Sequence, residues 1–285
     1  MKKTITKLLA ILLVIGLCGC SNPQKDHYKA GIAAMETGDY AVAIEEFTGA
    51  EDYKDAQSKL KEAYYCLGSE HLENDRYDEA LDAFTLASDY EDAPTKVDEV
   101  WYRKGMAAYN EQLYSDAIAC FTKSHDFNDT RAKIKECWYL MGAMAFEAKE
   151  YDDAVEYFGY AEDYEDAAER IREVWYTKGK ELLTNQKYDE ARIALTNSNG
   201  YNDANLRLQL CDLREKLSEA SVGDYIKFGT YEQDNKTSNG KEEIEWKVVA
   251  KSENKLLVVS RYVLTSKSYD ADAGKTWANT KIRTW

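Results

Sequence analysis

From residue 27 to residue 211, apolar and polar positions recur along the chain with a period of 37. Tyr64, Trp101, Trp138 and Trp175 make one column, and His27 holds the same place one period earlier. The next column is Tyr28, Tyr65, Tyr102, Tyr139 and Tyr176, followed by Gly31, Gly68, Gly105, Gly142 and Gly179. After a gap come Tyr40, Tyr77, Tyr114, Tyr151 and Tyr188, then Ala43, Ala80, Ala117, Ala154 and Ala191. Phe47, Phe84, Phe121, Phe158 and Leu195 close the set four residues later. Six columns in register over five units mark a repeat architecture.

The spacing within a unit predicts two helices. Ala154, Val155, Phe158 and Ala161 fall at i, i+1, i+4 and i+7, the stripe of a short amphipathic helix. Trp138, Met141, Ala145 and Phe146 give a second stripe upstream. Each unit therefore reads as a hairpin, a helix of about 18 residues and one of about 11. The glycine column lets a neighbouring helix approach where a β-carbon would hold it off. One hairpin cannot bury both stripes, so neighbours are expected to stack into a superhelix.

The pairs Trp-x3-Gly and Ala-x3-Phe, as in Gly105, Ala117 and Phe121, resemble the tetratricopeptide repeat over residues 27–211. The resemblance implies a mainly α, tetratricopeptide-like α-solenoid that binds protein or peptide segments. Two features depart from that family. The period is 37 rather than 34, and Tyr-x-Asp-Ala replaces the proline between units: 53–56, 90–93, 164–167 and 201–204, with Phe127–Thr130 as a variant. The aspartate is expected to cap the next helix by accepting its free amides, and the tyrosine before it to pack between units. Asn202–Ala220 reads as the polar end cap that such arrays need, with Leu206, Leu208, Leu210, Leu213 and Leu217 as its apolar positions. Arg192 breaks the apolar pattern of the last unit, facing either the next segment or solvent.

At Val222 the texture changes to alternation. Tyr225–Phe228, Glu243–Val249 and Lys255–Tyr262 read as short strands, with Ile244, Trp246 and Val248 on one face. Gln233–Gly240 reads as a polar loop. Three strands rarely make a stable core. The opening Gly223–Gly229, Ile244-Glu245-Trp246 and Thr276-Trp277 leading to Ile282-Arg283-Thr284-Trp285 resemble the start of an uncharacterised domain of exported proteins of Gram-positive anaerobes. That resemblance implies a domain continuing past Trp285, and hence a truncated one here. It also carries a distant likeness to lectin-type and formylglycine-generating folds.

The first residues read as a processing segment. Lys2, Lys3 and Lys7 precede an apolar run, Leu8–Leu17, shorter than the roughly 20 residues that span a bilayer. Leu17-Cys18-Gly19-Cys20 then resembles the bacterial lipobox. The resemblance implies cleavage after Gly19, a diacylglyceryl group on Cys20 and anchoring on the outer, extracytoplasmic face of the cell membrane. The expected organisation is thus a leader over 1–19, a tether over 20–26, helical repeats and cap over 27–220, and a β-rich segment over 221–285. Two prolines in the whole chain, Pro23 and Pro94, leave long helices unbroken.

Composition narrows the chemistry. The chain has 37 Lys+Arg against 52 Asp+Glu, a net charge of −15, and loss of the leader's lysines makes it more negative. Such a surface disfavours nucleic acid. Cys137 and Cys211 share a column with Ala63, Val100 and Val174, which reads as packing. Cys66 and Cys120 sit in columns where nothing recurs. Buried or half-buried free thiols are expected, with no zinc spacing. His27, His71 and His125 fall in different columns, against a metal site or a triad. Asp270, Asp272 and Gly274 have only part of a calcium loop. No catalytic residue, metal or cofactor is expected.

Two columns remain as candidate recognition residues. Tyr28, Tyr65, Tyr102, Tyr139 and Tyr176 occupy the place that lines the concave groove in the tetratricopeptide family. Glu62, Glu99, Glu136 and Glu173 stand one turn away. Phenols and carboxylates at regular intervals suit an extended segment with basic or polar groups. The same columns are also what packing alone would produce, with tyrosine between helices and glutamate in solvent. A scaffold for protein or peptide binding is the reading these residues favour. The alternative is a helical stalk presenting a C-terminal carbohydrate-binding or catalytic head.

Overall fold

In the computed structural model, the described residues are 22–231, 238, 240–252 and 255–262. Cys20, the calcium-like run at 270–274, the tail motifs at 276–285, the 253–254 turn and most of the 233–240 loop lie outside them. The described chain is mainly α, with tetratricopeptide-like hairpins followed by a small antiparallel sheet. The helices are α1 (Pro23–Thr37), α2 (Tyr40–Gly49), α3 (Ala56–Glu73), α4 (Tyr77–Ala87), α5 (Ala93–Asn110) and α6 (Tyr114–Lys123). They continue as α7 (Thr130–Glu147), α8 (Tyr151–Tyr160), α9 (Ala167–Thr184), α10 (Tyr188–Asn197) and α11 (Ala204–Glu219). First helices are 18 residues from the second hairpin on, and second helices 10 or 11. Two compact units divide the chain: residues up to 144 with 157–165, and 145–156 with 166 onward.

The columns acquire their meaning inside each hairpin. A β-carbon placed on Gly31, Gly68, Gly105 or Gly142 would come within 2.7–2.9 Å of the ring of Phe47, Phe84, Phe121 or Phe158. The ring fills the space the glycine leaves, so the two columns are one contact seen from both sides. In the last hairpin Leu195 stands in, and a β-carbon on Gly179 would meet it at 2.6 Å. Every one of these five partners is fully buried or within 1% of it, as are the alanines of the Ala43 column.

The linkers between hairpins are tight turns that use left-handed backbone without glycine. Lys54, Glu91, Asn128, Glu165 and Asn202, the x of Tyr-x-Asp-Ala, all have φ between 45° and 54°. The amide of the alanine, or of Thr130, then donates to the carbonyl of the tyrosine or phenylalanine three residues back where it is seen, as from Ala56 to Tyr53 at 3.1 Å. The aspartate does occupy the N-cap position in Asp55, Asp92, Asp166 and Asp203, yet none of these four makes a side-chain cap bond. The expected amide acceptance is therefore corrected. In the cases described below the carboxylate is turned away from the helix end toward a tyrosine hydroxyl.

In the second unit α11 closes the helical array. Ala204 and Cys211 are its buried residues, and Leu208 and Leu210 pack beside them against Leu183 and Leu195. Leu206 is 64% exposed, so the cap's apolar stripe is narrower than its leucine content suggested. Arg192 reaches across to this helix. It donates to Asp212 at 3.2 Å and to Glu215, as well as to Asp189 on its own helix at 2.7 Å. Its place in an apolar column is thus a switch from packing to ion pairing where the repeats end.

The sheet runs β1 (Tyr225–Tyr231), β2 (Glu242–Ser252) and β3 (Lys255–Ser260), in that order and antiparallel. Ile244 and Val248 are buried and Trp246 is half-buried, as alternation demands. Trp246 stacks on Phe228 with ring centroids 5.2 Å apart and donates its indole N–H to the Phe228 carbonyl at 2.9 Å.

Candidate functional site

The tyrosine column is built into the scaffold. In the first four hairpins each ring lies against the phenylalanine of its own hairpin and the aromatic of the linker that follows. Tyr65 meets Phe84 and Tyr90, Tyr102 meets Phe121 and Phe127, and Tyr139 meets Phe158 and Tyr164, all at 5.3–5.7 Å between centroids. The hydroxyls donate to the N-cap carboxylate 27 residues on: Tyr28 to Asp55, Tyr65 to Asp92 and Tyr102 to Asp129, each at 2.6 Å. In the second unit Tyr176 does the same to Asp203 at 2.5 Å. Each pair clips the first helix of one hairpin to the start of the next. The tyrosines of the first unit are half-buried, whereas Tyr176 is buried.

These clips leave a titration signature. The bond to Asp92, helped by burial, pushes the Tyr65 phenol up to about 12, and burial followed by the Asp129 bond does the same for Tyr102. Conversely, the Tyr28 hydroxyl holds Asp55 below the usual carboxylate range, and Tyr176 with Arg207 holds Asp203 low. The phenols stay protonated in the fold after they would ionise in the unfolded chain at their ordinary 10.0. Their stabilisation is therefore full below pH 10 and lost as pH rises through about 12. The carboxylates stabilise above their unfolded range and fail as pH falls through their depressed values. Urea midpoints measured across the alkaline range should fall steeply there, and Tyr65→Phe with Tyr102→Phe should flatten that fall.

The glutamate column does not stand alone. Lys59 donates to Glu62 at 2.7 Å, Lys96 to Glu99 at 2.8 Å and Lys133 to Glu136 at 2.8 Å, all on one helix side three residues apart. Arg170 pairs with Glu173 in the second unit, and Arg207, one period further, bonds Asp203 at 2.6 Å. Lys59, Lys96, Lys133, Arg170 and Arg207 thus form a basic column of period 37 that balances the acidic one. Burial opposes ionisation of Glu99, but Lys96 and Arg103 outweigh it and hold its carboxyl low. Burial likewise works against Glu136, and Lys133 with the Tyr109 hydroxyl, 2.6 Å away, reverses the balance. The side chains of these lysines are 21–31% exposed, so the pairs form a half-buried ladder.

The ladder was legible in the basic column, which sequence reasoning passed over. A second signal was internal covariation. Asp78 binds Lys104 at 2.5 Å and Asp152 binds Lys178 at 2.5 Å. Where the acid becomes Ser115, the lysine becomes Met141, and the two still touch at 3.9 Å. The tryptophan column takes another face: Lys104 and Lys123 lie over Trp101 at 5.4 and 4.2 Å, and Trp138 packs on Tyr157 and Tyr160. Cys120, Cys137 and Cys211 are buried free thiols and Cys66 is half-buried, with burial pushing Cys137 up to about 12. Among the described residues no cluster of His, Cys, Asp and Glu has the arrangement of a metal site.

No protein-family model and no curated protein matches the chain. Among solved structures it is similar to a TPR repeats protein from Bacteroides fragilis NCTC 9343, at 17% identity over 69% of this chain and 99% of that one, with a TM-score of 0.36. It is similar also to the TPR2AB domain of yeast Sti1, solved as a complex with pHSP90, at 14% identity over 68% and 85%, TM-score 0.22. BtubC from P. vanneervenii gives 13% identity over 70% and 93%, TM-score 0.19.

Proposed function

We propose that the protein is a lipid-anchored, extracytoplasmic scaffold that binds an extended segment of a protein partner. The surface that does so is the first-helix face of the first unit. The observation that carries this reading is the repetition there of one polar set, Lys–Glu pairs three residues before half-buried tyrosines, on successive helices. A periodic surface of that kind offers the same contacts at regular intervals, which suits a chain lying across the helices rather than a small reacting molecule. The charges are already balanced within the surface. A partner must therefore bring both signs or polar groups, and tyrosine supplies rigid area at low entropic cost.

Two experiments test the reading. Cys20→Ala should abolish fatty-acid labelling and leave the leader uncleaved; lipid still incorporated in that variant would remove the anchor. For recognition, the partner retained from a detergent extract of the parent membranes should be lost as salt rises, because exposed charges are screened beyond about 10 Å at 0.1 M. Retention indifferent to salt would point away from the ladder.

A further inference from the structure

We propose that the cleft between α11 and the sheet, inside the second unit, binds a small amphipathic anion, one with a carboxylate or phosphate head on an apolar body. The cleft holds about 540 Å³, within the range of small-molecule sites. Its lining is mixed: Leu217 from the cap helix, Phe228 from β1 and Leu256 from β3 are half-buried apolar residues, and Thr184, Gln186 and Ser252 are polar. Arg214, Lys251 and Lys255 stand around it, and the described lining includes no carboxylate. That is a local reversal in a chain of net charge −15.

The three cations differ in what they are free to do. Lys251 donates at 2.7 Å to the carbonyls of both Ser218 and Ala220, at the C-terminal end of α11, and so ties the sheet to the helix. Its charge also sits where a helix end favours a cation. Arg214 and Lys255 are exposed and their side chains have no hydrogen bond or ion pair among the described residues. Arg192, by contrast, is engaged with Asp189, Asp212 and Glu215. Two uncommitted cations beside apolar side chains, in a cleft of ligand size, match a ligand with one charged end. The planar fork of Arg214 suits the paired oxygens of either head group. The site is separate from the ladder of the first unit, so either can fail without the other.

Calorimetric titration of the full chain with octanoate, octyl phosphate, acetate and 1-octanol tests the assignment. At least one octyl anion should bind, at least tenfold more tightly than 1-octanol or acetate, and the stronger of the two identifies the head group. Arg214→Glu with Lys255→Glu should weaken that binding at least tenfold while the thermal midpoint holds. Arg214→Gln with Lys255→Gln serves should the reversed pair unfold, again with clear weakening. No binding by either anion, equal binding by 1-octanol, or unchanged affinity in a folded variant would overturn the proposal.

Discussion

Phe121→Ala is expected to lower the unfolding free energy by about 3–5 kcal/mol, the usual cost of deleting a buried aromatic. The ring is fully buried, packs on Tyr102 at 5.7 Å and lies over Gly105. Residue 105 has no side chain to fill the gap that the ring would leave. Leu113→Ala is the comparison, since Leu113 is 49% exposed and its truncation should cost far less. Equal shifts in urea midpoint for the two would mean that the phenylalanine column is not the core of the hairpin.

The converse change, Gly142→Leu, should cost about 1–3 kcal/mol through overpacking. A β-carbon at that position would lie 2.8 Å from the Phe158 ring, which also packs against Tyr139 at 5.3 Å. Glu147 lies on the same helix and is exposed, so Glu147→Ala should leave the midpoint nearly unmoved.

Periodicity made the hairpins legible. Each unit solves the same packing problem, so Gly105 with Phe121 and Gly142 with Phe158 had to recur at fixed distance. The roles of polar residues were harder to read, because a polar residue's partner is chosen in three dimensions. Asp55 has the identity and position of a helix cap, yet the tyrosine hydroxyl 27 residues earlier reaches its carboxylate first. Nothing in local capping preference reveals that competitor. Glu99 was read as one of a row of free carboxylates because the basic residue that neutralises it, Lys96, sits in a separate column. Arg192 marked the end of the array by its type alone, and its three carboxylate partners explain why a charge is tolerated there. In the sheet, the alternation of Ile244, Trp246 and Val248 was read directly, while the cleft beside it depends on how α11 meets the strands.

The proposed function gives the same helices two jobs: the tyrosine–aspartate clips hold the fold, and the lysine–glutamate ladder would meet the partner. Exchanging the partners within pairs tests that division directly. Lys59→Glu with Glu62→Lys keeps the pair and the net charge but reverses the pattern a partner would meet there, and Lys133 and Glu136 are left in place because Glu136 also accepts from the Tyr109 hydroxyl. Pairs of this type contribute no more than about 0.5 kcal/mol each, so helical content and melting should change little. The decisive measurement is the amount of partner retained from the membrane extract at low salt, with melting followed on the same samples. The account predicts at least a tenfold fall in retention with the melting curve in place, whereas full retention by the folded, exchanged protein would contradict it.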